Sequence, residues 1–342
     1  MTHRLRTVII GFGKIGARYA DDPLTARYYP YSTHAQVLAV HPAFAWEAVV
    51  DPSATARELA QKRWQIPYAV KNVRELMDNY QPEVAVIATP PETRQFIIEQ
   101  IPSLRAVLVE KPLGLTVADA EQFLEQCRQR HIIVQVNLWR RADEMFRALA
   151  AGQLTELIGC PQAIFGVYGN GLLNNGTHMI DFVRMLCGEV EAVQAIGNLS
   201  TCLTGPITGD VNLAFSLRLK PGLVVMQQPI NFEHYRENSL DIWGEKGRLS
   251  FCLEGLSLIF YPRHKNRAIQ HTQEIAVDQP QLLNSTVGQA LYHLYSNLAE
   301  SIQIGIPLWS PGDLALHAAQ IIQAILDSAR DKNKIVECNQ AA

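Results

Sequence analysis

The chain has 342 residues, 48% of them hydrophobic and 18% charged, with a formal net charge of −3. That balance excludes a polyanion-binding protein and a disordered one, so no nucleic-acid partner is expected, and small neutral or anionic ligands remain open. At roughly 100–200 residues per domain the length favours two domains, which we place at residues 1–137 and 138–342.

Met1 to Arg6 runs straight into an apolar strand with no signal-peptide core ahead of it. No apolar run approaches the roughly 18 residues of a membrane span, so a cytoplasmic protein with no membrane partner is expected. Thr7 to Ile10 is a β-branched strand that ends in Gly11-Phe12-Gly13-Lys14-Ile15-Gly16, after which Ala17 to Ala20 can start a helix. A G-x-G-x-x-G between strand and helix is the setting a dinucleotide requires. Gly11 allows the tight turn, Gly13 lets the backbone approach a pyrophosphate and Gly16 lets helix and strand pack closely, while the helix N-terminus favours an anion. Glycines after a strand are also often only a turn.

Trp46 to Val50 is the second strand and ends in Asp51, an acid placed to hold the ribose hydroxyls and repel a 2′-phosphate. This favours NAD, with NADP left open because Arg57 follows in the next helix. The distance from Gly16 exceeds the usual ~20 residues. The surplus lies in Asp21 to Pro42, a stretch rich in Tyr, Pro and His that either lines a substrate cleft, covers the first helix or forms a packed surface loop.

Thr55 to Trp64 and Val73 to Asn79 read as helices, and Tyr68 to Val70 and Val84 to Ala88 as strands, repeating a βα theme that implies a parallel sheet. Thr89-Pro90-Pro91-Glu92-Thr93-Arg94 is a stiff turn that either packs against a bound cofactor or is an ordinary proline turn, and Gln95 to Gln100 continues as helix. Ala106 to Val109 delivers Glu110-Lys111-Pro112 to the rim, where Pro112 cannot continue the ladder. In an open α/β sheet ligands bind at that edge. Val117 to Arg130 has apolar residues at helical spacing, and Ile132 to Asn137 closes the sheet, followed by Leu138-Trp139-Arg140-Arg141.

Beyond about Phe165, strands alternate with turns. Gln162–Tyr168, Val190–Leu199, Val211–Leu219, Leu223–Ile230, Ser239–Trp243, Arg248–Cys252 and Ser257–Tyr261 read as a largely antiparallel sheet, with hairpin turns at Pro221-Gly222 and Glu245-Lys246-Gly247. One helix, Thr177 to Cys187, precedes the main run of strands. Val287–Ile304 and Gly312–Lys332 are final helices expected to pack back near the first domain. Ahead of the Thr177 helix lies Gly169 to Gly176, rich in Gly and Asn. His178 falls in that helix's first turn, with Asp181 three residues on and on the same face. A histidine there exchanges protons near neutral pH, and the helix N-terminus lowers its pKa. Alone, such a histidine is more often a capping or core residue; with Lys111 and a dinucleotide loop in the chain, an acid/base role outweighs that.

The six cysteines (Cys127, Cys160, Cys187, Cys202, Cys252 and Cys338) lie far apart with no C-x-x-C, which argues against a metal site, a redox motif or a disulfide framework. They are expected to be reduced and mostly buried.

The motifs GFGKIG, ATPPET, EKPL, VNLWRR (Val136 to Arg141) and NNGTHMID (Asn174 to Asp181), in this order, resemble those of the Gfo/Idh/MocA oxidoreductases, named for glucose-fructose oxidoreductase and inositol dehydrogenase. The resemblance covers almost the whole chain. It implies an N-terminal Rossmann domain, a doubly wound parallel sheet. The C-terminal α+β domain is then built on an open, largely antiparallel sheet, through which a homodimer or homotetramer forms. It also implies hydride transfer between NAD(P) and a hydroxyl-bearing carbon of a sugar, nucleotide sugar or cyclitol. On this reading Lys111 lies near the nicotinamide and the reacting hydroxyl, His178 is the acid/base group and Asp181 stands in the helix behind it. Gly11, Phe12, Gly13, Lys14, Ile15, Gly16, Asp51, Thr89, Pro90, Pro91, Glu110, Lys111 and Asn137 form the cofactor side. Arg140, Arg141, Asn174, Asn175, Thr177 and His178 form the substrate side. Two positions depart from the common pattern: Asn174 replaces an aspartate, and Arg94 stands where a histidine is common. An amide can orient a hydroxyl but cannot take its proton, so a non-sugar reductase and a catalytically silent dinucleotide-binding regulator are the alternatives.

Overall fold

The computed structural model describes residues 3–202, 205–220 and 222–338. The chain divides into two compact units, one of residues up to Asp143 together with Gly288–Leu316, the other of Glu144–Val287 and the chain from His317 on.

Six short apolar runs build the first unit's sheet: β1 (Leu5–Ile10), β2 (Phe44–Val50), β3 (Tyr68–Val70), β4 (Val84–Ile87), β5 (Ala106–Val109) and β6 (Ile133–Val136). All pair in parallel, in the order β3-β2-β1-β4-β5-β6. Their residues are apolar without alternation because both faces are covered. Val8, Ile10, Ala85, Ile87, Val107 and Val109 face one layer, which contains α4 (Val73–Met77), α5 (Arg94–Gln100) and α6 (Val117–Gln129). Ile9, Val84, Val86, Ala106 and Leu108 face the other. There α2 (His34–Val40) and α3 (Ala54–Trp64) are joined by α10 (Ala290–Ile304), a helix from far down the chain. Strand order reverses between β1 and β4, where a doubly wound sheet opens its ligand crevice.

The segment after the glycine loop differs from the expected single helix. Arg18–Asp21 is one 3-10 turn, α1 (Pro23–Tyr28) follows, and only α2 returns to the sheet. Asp22 caps α1, whose N1 proline ends any continuous helix from the loop. Thr33 and Gln36 then form a reciprocal capping box that restarts it. The N–H groups of His34 and Ala35 donate to the Ile15 and Gly16 carbonyls at 3.1 and 2.9 Å, so the start of α2 is tied to the glycine loop by protein partners. The long stretch between Asp21 and Pro42 is therefore mostly the displaced helix of the first βα unit.

The second unit starts with α7 (Glu144–Ala148) and α8 (Leu154–Ile158), helical turns with no clear sequence signal, separated by a π-turn. Its sheet has ten strands: β7 (Pro161–Tyr168), β8 (Val190–Thr201), β9 (Val211–Leu219), β10 (Val224–Pro229), β11 (Ser239–Gly244), β12 (Gly247–Cys252), β13 (Ser257–Lys265), β14 (Gln273–Ile275), β15 (Gln281–Leu283) and β16 (Val336–Glu337). Pairing is antiparallel except for β7 with β10. The Glu245–Gly247 hairpin joins β11 to β12 as expected; Pro221 of the other expected turn lies outside the described residues. The three short strands were not legible, being too brief to alternate. One helix, α9 (Thr177–Cys187), has the expected bounds, and α11 (Gly312–Arg330) closes the chain's helical content.

All six cysteines are free, but only Cys127 and Cys202 are buried, Cys160 being exposed and the rest intermediate, against the expectation that most are buried. No helix among the described residues is long and apolar enough to cross a membrane.

His41, at the end of α2, is buried against Phe44 and Tyr292, and its Nε2 lies 3.0 Å from Ser296 Oγ on α10. Burial pushes its pKa from 6.5 down to about 4. The unfolded chain takes up this proton first, so the His41 contribution to stability is present above pH 6.5 and is lost as pH falls towards about 4. The thermal midpoint is expected to drop across that window in the natural chain and to drop less in His41→Gln. Parallel curves for the two proteins would refute the assignment.

Candidate functional site

The groups singled out in the sequence fall on both units.

In the first unit, the glycine loop sits at the switch point. Gly11 has φ +93°, and a Cβ there would meet the Ala88 carbonyl carbon at 2.9 Å. A Cβ on Gly16 would meet the Gly11 carbonyl oxygen at 2.6 Å. These two glycines are therefore demanded by the fold. Gly13 is not: it is exposed, and a Cβ would touch nothing within 4 Å. The space it keeps open is what close approach of a pyrophosphate needs. The expected helix N-terminus is missing from this loop, since only a four-residue 3-10 turn follows. An anion at this loop would meet loop N–H groups and not a helix N-terminus.

Asp51 accepts the Phe12 N–H at 2.7 Å through Oδ2 and the Ser53 N–H at 2.8 Å through Oδ1, so it shapes the loop while standing at the end of β2. A carboxylate retains further acceptor capacity for ribose hydroxyls. Arg57 folds back, its Nη1 donating to the Asp51 and Pro52 carbonyls at 2.8 and 2.9 Å.

The end of β5 is held from both sides. Glu110 Oε1 lies 2.9 Å from His34 Nε2 and accepts from Asn137 Nδ2 at 2.7 Å. Burial pushes the Glu110 carboxyl up. The His34 bond and charge, the Asn137 bond and the Lys111 ammonium outweigh that, holding it below its usual range. On the far side of Lys111, fully buried Arg94 donates through Nη1 to the Pro112 and Leu113 carbonyls at 2.6 and 3.0 Å and through Nη2 to Thr89 at 3.4 Å. Burial lowers its pKa to about 10, opposed by Glu110 and Glu92, so it stays charged at neutral pH. The proline turn and the lysine segment are thus one assembly, and Arg94 has a role that a histidine's two ring nitrogens do not cover. Thr89 bonds Thr93 at 2.7 Å, with Pro91 opening a short 3-10 turn and Pro90 exposed before it. Asn137 Oδ1 is buried with no hydrogen-bond partner among the described residues. Arg140 stacks on Trp139 at 4.4 Å, next to Arg141, in a 3-10 turn after β6.

In the second unit the organising residue is Asp210, which nothing in the sequence singles out. It is buried just before β9 and accepts the N–H groups of Leu173, Asn174 and Val211 at 3.0, 3.1 and 2.8 Å. Gly171 has φ +96°, and its Cβ would lie 1.9 Å from Asp210 Oδ2. Desolvation by burial raises the Asp210 pKa and the backbone bonds pull it back. This carboxylate caps a π-turn, Leu172–Gly176, that continues into α9. His178 therefore lies beyond the free end of the helix, whose first donors are already taken, and the expected influence of a bare N-terminus on it does not apply. His178 is half-buried, while Asn174, Asn175 and Thr177 are buried. Asn174 Nδ2 is 3.4 Å from Asn175 Oδ1, the Asn175 Nδ2 has no partner among the described residues, and Thr177 donates to the Leu173 carbonyl at 2.7 Å. Asp181 is buried 3.9 Å from Arg184, which also binds Glu189 at 2.7 Å and lies 2.8 Å from His317 Nδ1. Among the described residues no group of three or more His, Cys, Asp and Glu is placed to hold a metal ion.

A parallel sheet in this strand order, with a glycine loop at its switch point and an acid at the end of β2, defines a dinucleotide-binding Rossmann domain. Residues 5–138 match the model of the GFO/IDH/MocA "Oxidoreductase family, NAD-binding Rossmann fold", and residues 165–250 match the "GFO/IDH/MocA C-terminal domain". The chain belongs to this family of NAD-binding oxidoreductases. It is 26% identical over 236 residues to scyllo-inositol 2-dehydrogenase (NAD(+)) of Bacillus subtilis, covering 63% of this chain and 64% of that protein. It is 29% identical over 283 residues to trans-1,2-dihydrobenzene-1,2-diol dehydrogenase of Sus scrofa, covering 76% and 79%. Its fold is shared with the WlbA dehydrogenase of Bordetella pertussis, solved with NADH and UDP-GlcNAcA, at a TM-score of 0.72 and 17% identity over 99% and 100% of the two chains.

Replacing Asp210 by alanine leaves three N–H groups without their acceptor. Chemical denaturation is expected to show a loss of roughly 2–4 kcal/mol, with the far-UV spectrum retained. A loss under about 0.5 kcal/mol would mean that Asp210 does not hold the loop.

Proposed function

We propose that this chain is an NAD-dependent dehydrogenase that moves a hydride between the nicotinamide and a hydroxyl-bearing ring carbon flanked by a second hydroxyl. The observation that carries this reading is the double clamp on Lys111. A cationic side chain follows an ionised, largely buried Glu110, and the backbone just after it, at Pro112 and Leu113, is pinned by Arg94, at the strand edge where the glycine loop opens. The two curated relatives support the substrate class, since both names denote oxidation of a cyclic polyol or diol. The sugar nucleotide bound to WlbA keeps larger glycosyl substrates within the class.

Bound NAD+ supplies the hydride acceptor. Gly13 would leave room for its pyrophosphate, Asp51 would hold the ribose hydroxyls, and Asn137 would stand on the cofactor side. In the first unit Lys111 is the group that orients a substrate hydroxyl through its ammonium; in the second, His178 is the general acid/base. Asn174, an amide whose backbone is fixed by Asp210, can orient a second hydroxyl but carries no proton. Asp181 is held in the Arg184 network and acts, on this reading, by fixing α9 rather than by touching substrate.

Cyclitols, cyclic diols, sugars and sugar nucleotides with NAD+, followed by absorbance of the reduced nicotinamide, test the class. On the substrate found, Lys111→Ala and His178→Ala are each expected to lower turnover about 10²–10⁴-fold with NAD+ affinity largely kept. Unchanged turnover in both variants would overturn the roles given to Lys111 and His178, and no turnover on any of these compounds would favour a dinucleotide-binding regulator, the reading that Asn174 encourages.

We also propose self-association through the outer face of the second unit's sheet. Exposed Phe165 pairs beside Met226, and Arg248 is stacked between Trp243 and Tyr261 at 5.6 and 4.3 Å. Light scattering is expected to give a dimer or tetramer that Phe165→Lys weakens; a monomeric natural chain at micromolar concentration would overturn this.

A further inference from the structure

Behind Lys111 lies a buried hydrogen-bond chain that the reading above does not use. His34 opens α2, in the segment that separates the glycine loop from β2, and its side chain has no exposed surface. Its Nε2 is 2.9 Å from Glu110 Oε1, and its Nδ1 is 2.8 Å from the Tyr295 hydroxyl on α10. The Tyr295 ring also meets the imidazole at 5.9 Å. Thr33 caps the helix, and the His34 N–H donates to the Ile15 carbonyl at 3.1 Å, so the backbone presenting this ring is fixed as well.

The protons in this chain can be assigned by satisfaction. An ionised carboxylate only accepts, so His34 Nε2 carries a proton and donates to Glu110. Nδ1 lies 2.8 Å from the Tyr295 hydroxyl, which gives the ring its second bond. Burial and the charge of Glu110 hold the Tyr295 phenol well above its ordinary pKa, so it keeps that proton. Both ring nitrogens of His34 therefore have a partner.

We propose that His34, backed by Tyr295, is a positioning residue that keeps Glu110 ionised and in place beside Lys111, and that supplying it is the contribution of the Asp21–Pro42 segment to the site. The catalytic consequence rests on the role assigned to Lys111 above; the ionisation of Glu110 does not. Glu110 is faced by His34 from α2, Tyr295 from α10, Arg94 from α5, Asn137 from β6 and its neighbour Lys111. His34 itself is faced by Glu110 and Tyr295. Removing the donor at 34 leaves a buried carboxylate with the charges of Arg94 and Lys111 and one amide bond, and burial then drives its pKa upward.

The test is a pH titration of the full chain by infrared spectroscopy, with the Glu110 carboxyl band identified by its loss in Glu110→Gln. In His34→Leu the midpoint is expected to rise by about one pH unit or more, a tenfold gain in proton affinity. His34→Gln, whose amide can donate to Glu110 and accept from Tyr295, is expected to stay with the natural chain. Tyr295→Phe is expected to shift the midpoint upward by less. With substrate, the acid limb of kcat is expected to move to higher pH in His34→Leu and not in His34→Gln. An unmoved Glu110 midpoint in His34→Leu and Tyr295→Phe overturns the proposal, and if His34→Leu does not fold, Tyr295→Phe decides alone. Unchanged turnover in Lys111→Ala beside a shifted Glu110 midpoint would remove the function assigned to Lys111 and leave this inference standing. An inactive Lys111→Ala beside an unmoved midpoint would remove this inference alone.

Discussion

A charge taken out of water costs several kcal/mol unless protein groups replace its hydration, and the first unit meets that constraint at the end of one strand. Arg94 is fully buried there and Glu110 largely so, and each is satisfied by groups from other elements: His34 and Asn137 for the carboxylate, the Pro112, Leu113 and Thr89 carbonyls for the guanidinium. Because those partners sit on α2, β6 and the turns after β4 and β5, the segment carrying Lys111 takes its shape only when all of these are in place. Removing one partner exposes the whole cost of the other, which is why such clamps are rigid.

The second unit solves a similar problem with a different chemistry. Asp210 is also a buried carboxylate, but its partners are main-chain N–H groups of the Asn174 loop. A side chain just ahead of β9 thereby dictates a backbone path that glycine at 171 permits, at positive φ and without a Cβ. The loop's asparagines and the start of α9 are consequences of that path. In both units the groups expected to meet ligand are carried by backbone that a buried carboxylate or guanidinium holds.

Much of this was legible from residues alone, for identifiable reasons. The apolar runs of β1, β4 and β5 marked a sheet covered on both faces, and α6, α9 and β9 were readable to within a residue because their periodicity is unbroken. Gly11 and Gly16 announced a turn that no Cβ tolerates. The helix after the glycine loop was misplaced because Pro23 and the Thr33 capping box divide it, and local propensity does not say which fragment returns to the sheet. The assumed N-terminus at His178 failed because a π-turn precedes α9, and π-turns have no residue pattern to read.

The amino-acid sequence by itself determined most of the longer elements, their order along the chain and the residue types at the strand edges, since these depend on neighbours within a few positions. Only the tertiary structure decided which polar groups meet. His34 reaches Glu110 across 76 positions and Tyr295 across 261, and Asp210 reaches Asn174 across 36. A hydrogen bond requires placement within a few tenths of an ångström, and nothing in local spacing carries that information; the packing of α2 and α10 against the sheet does.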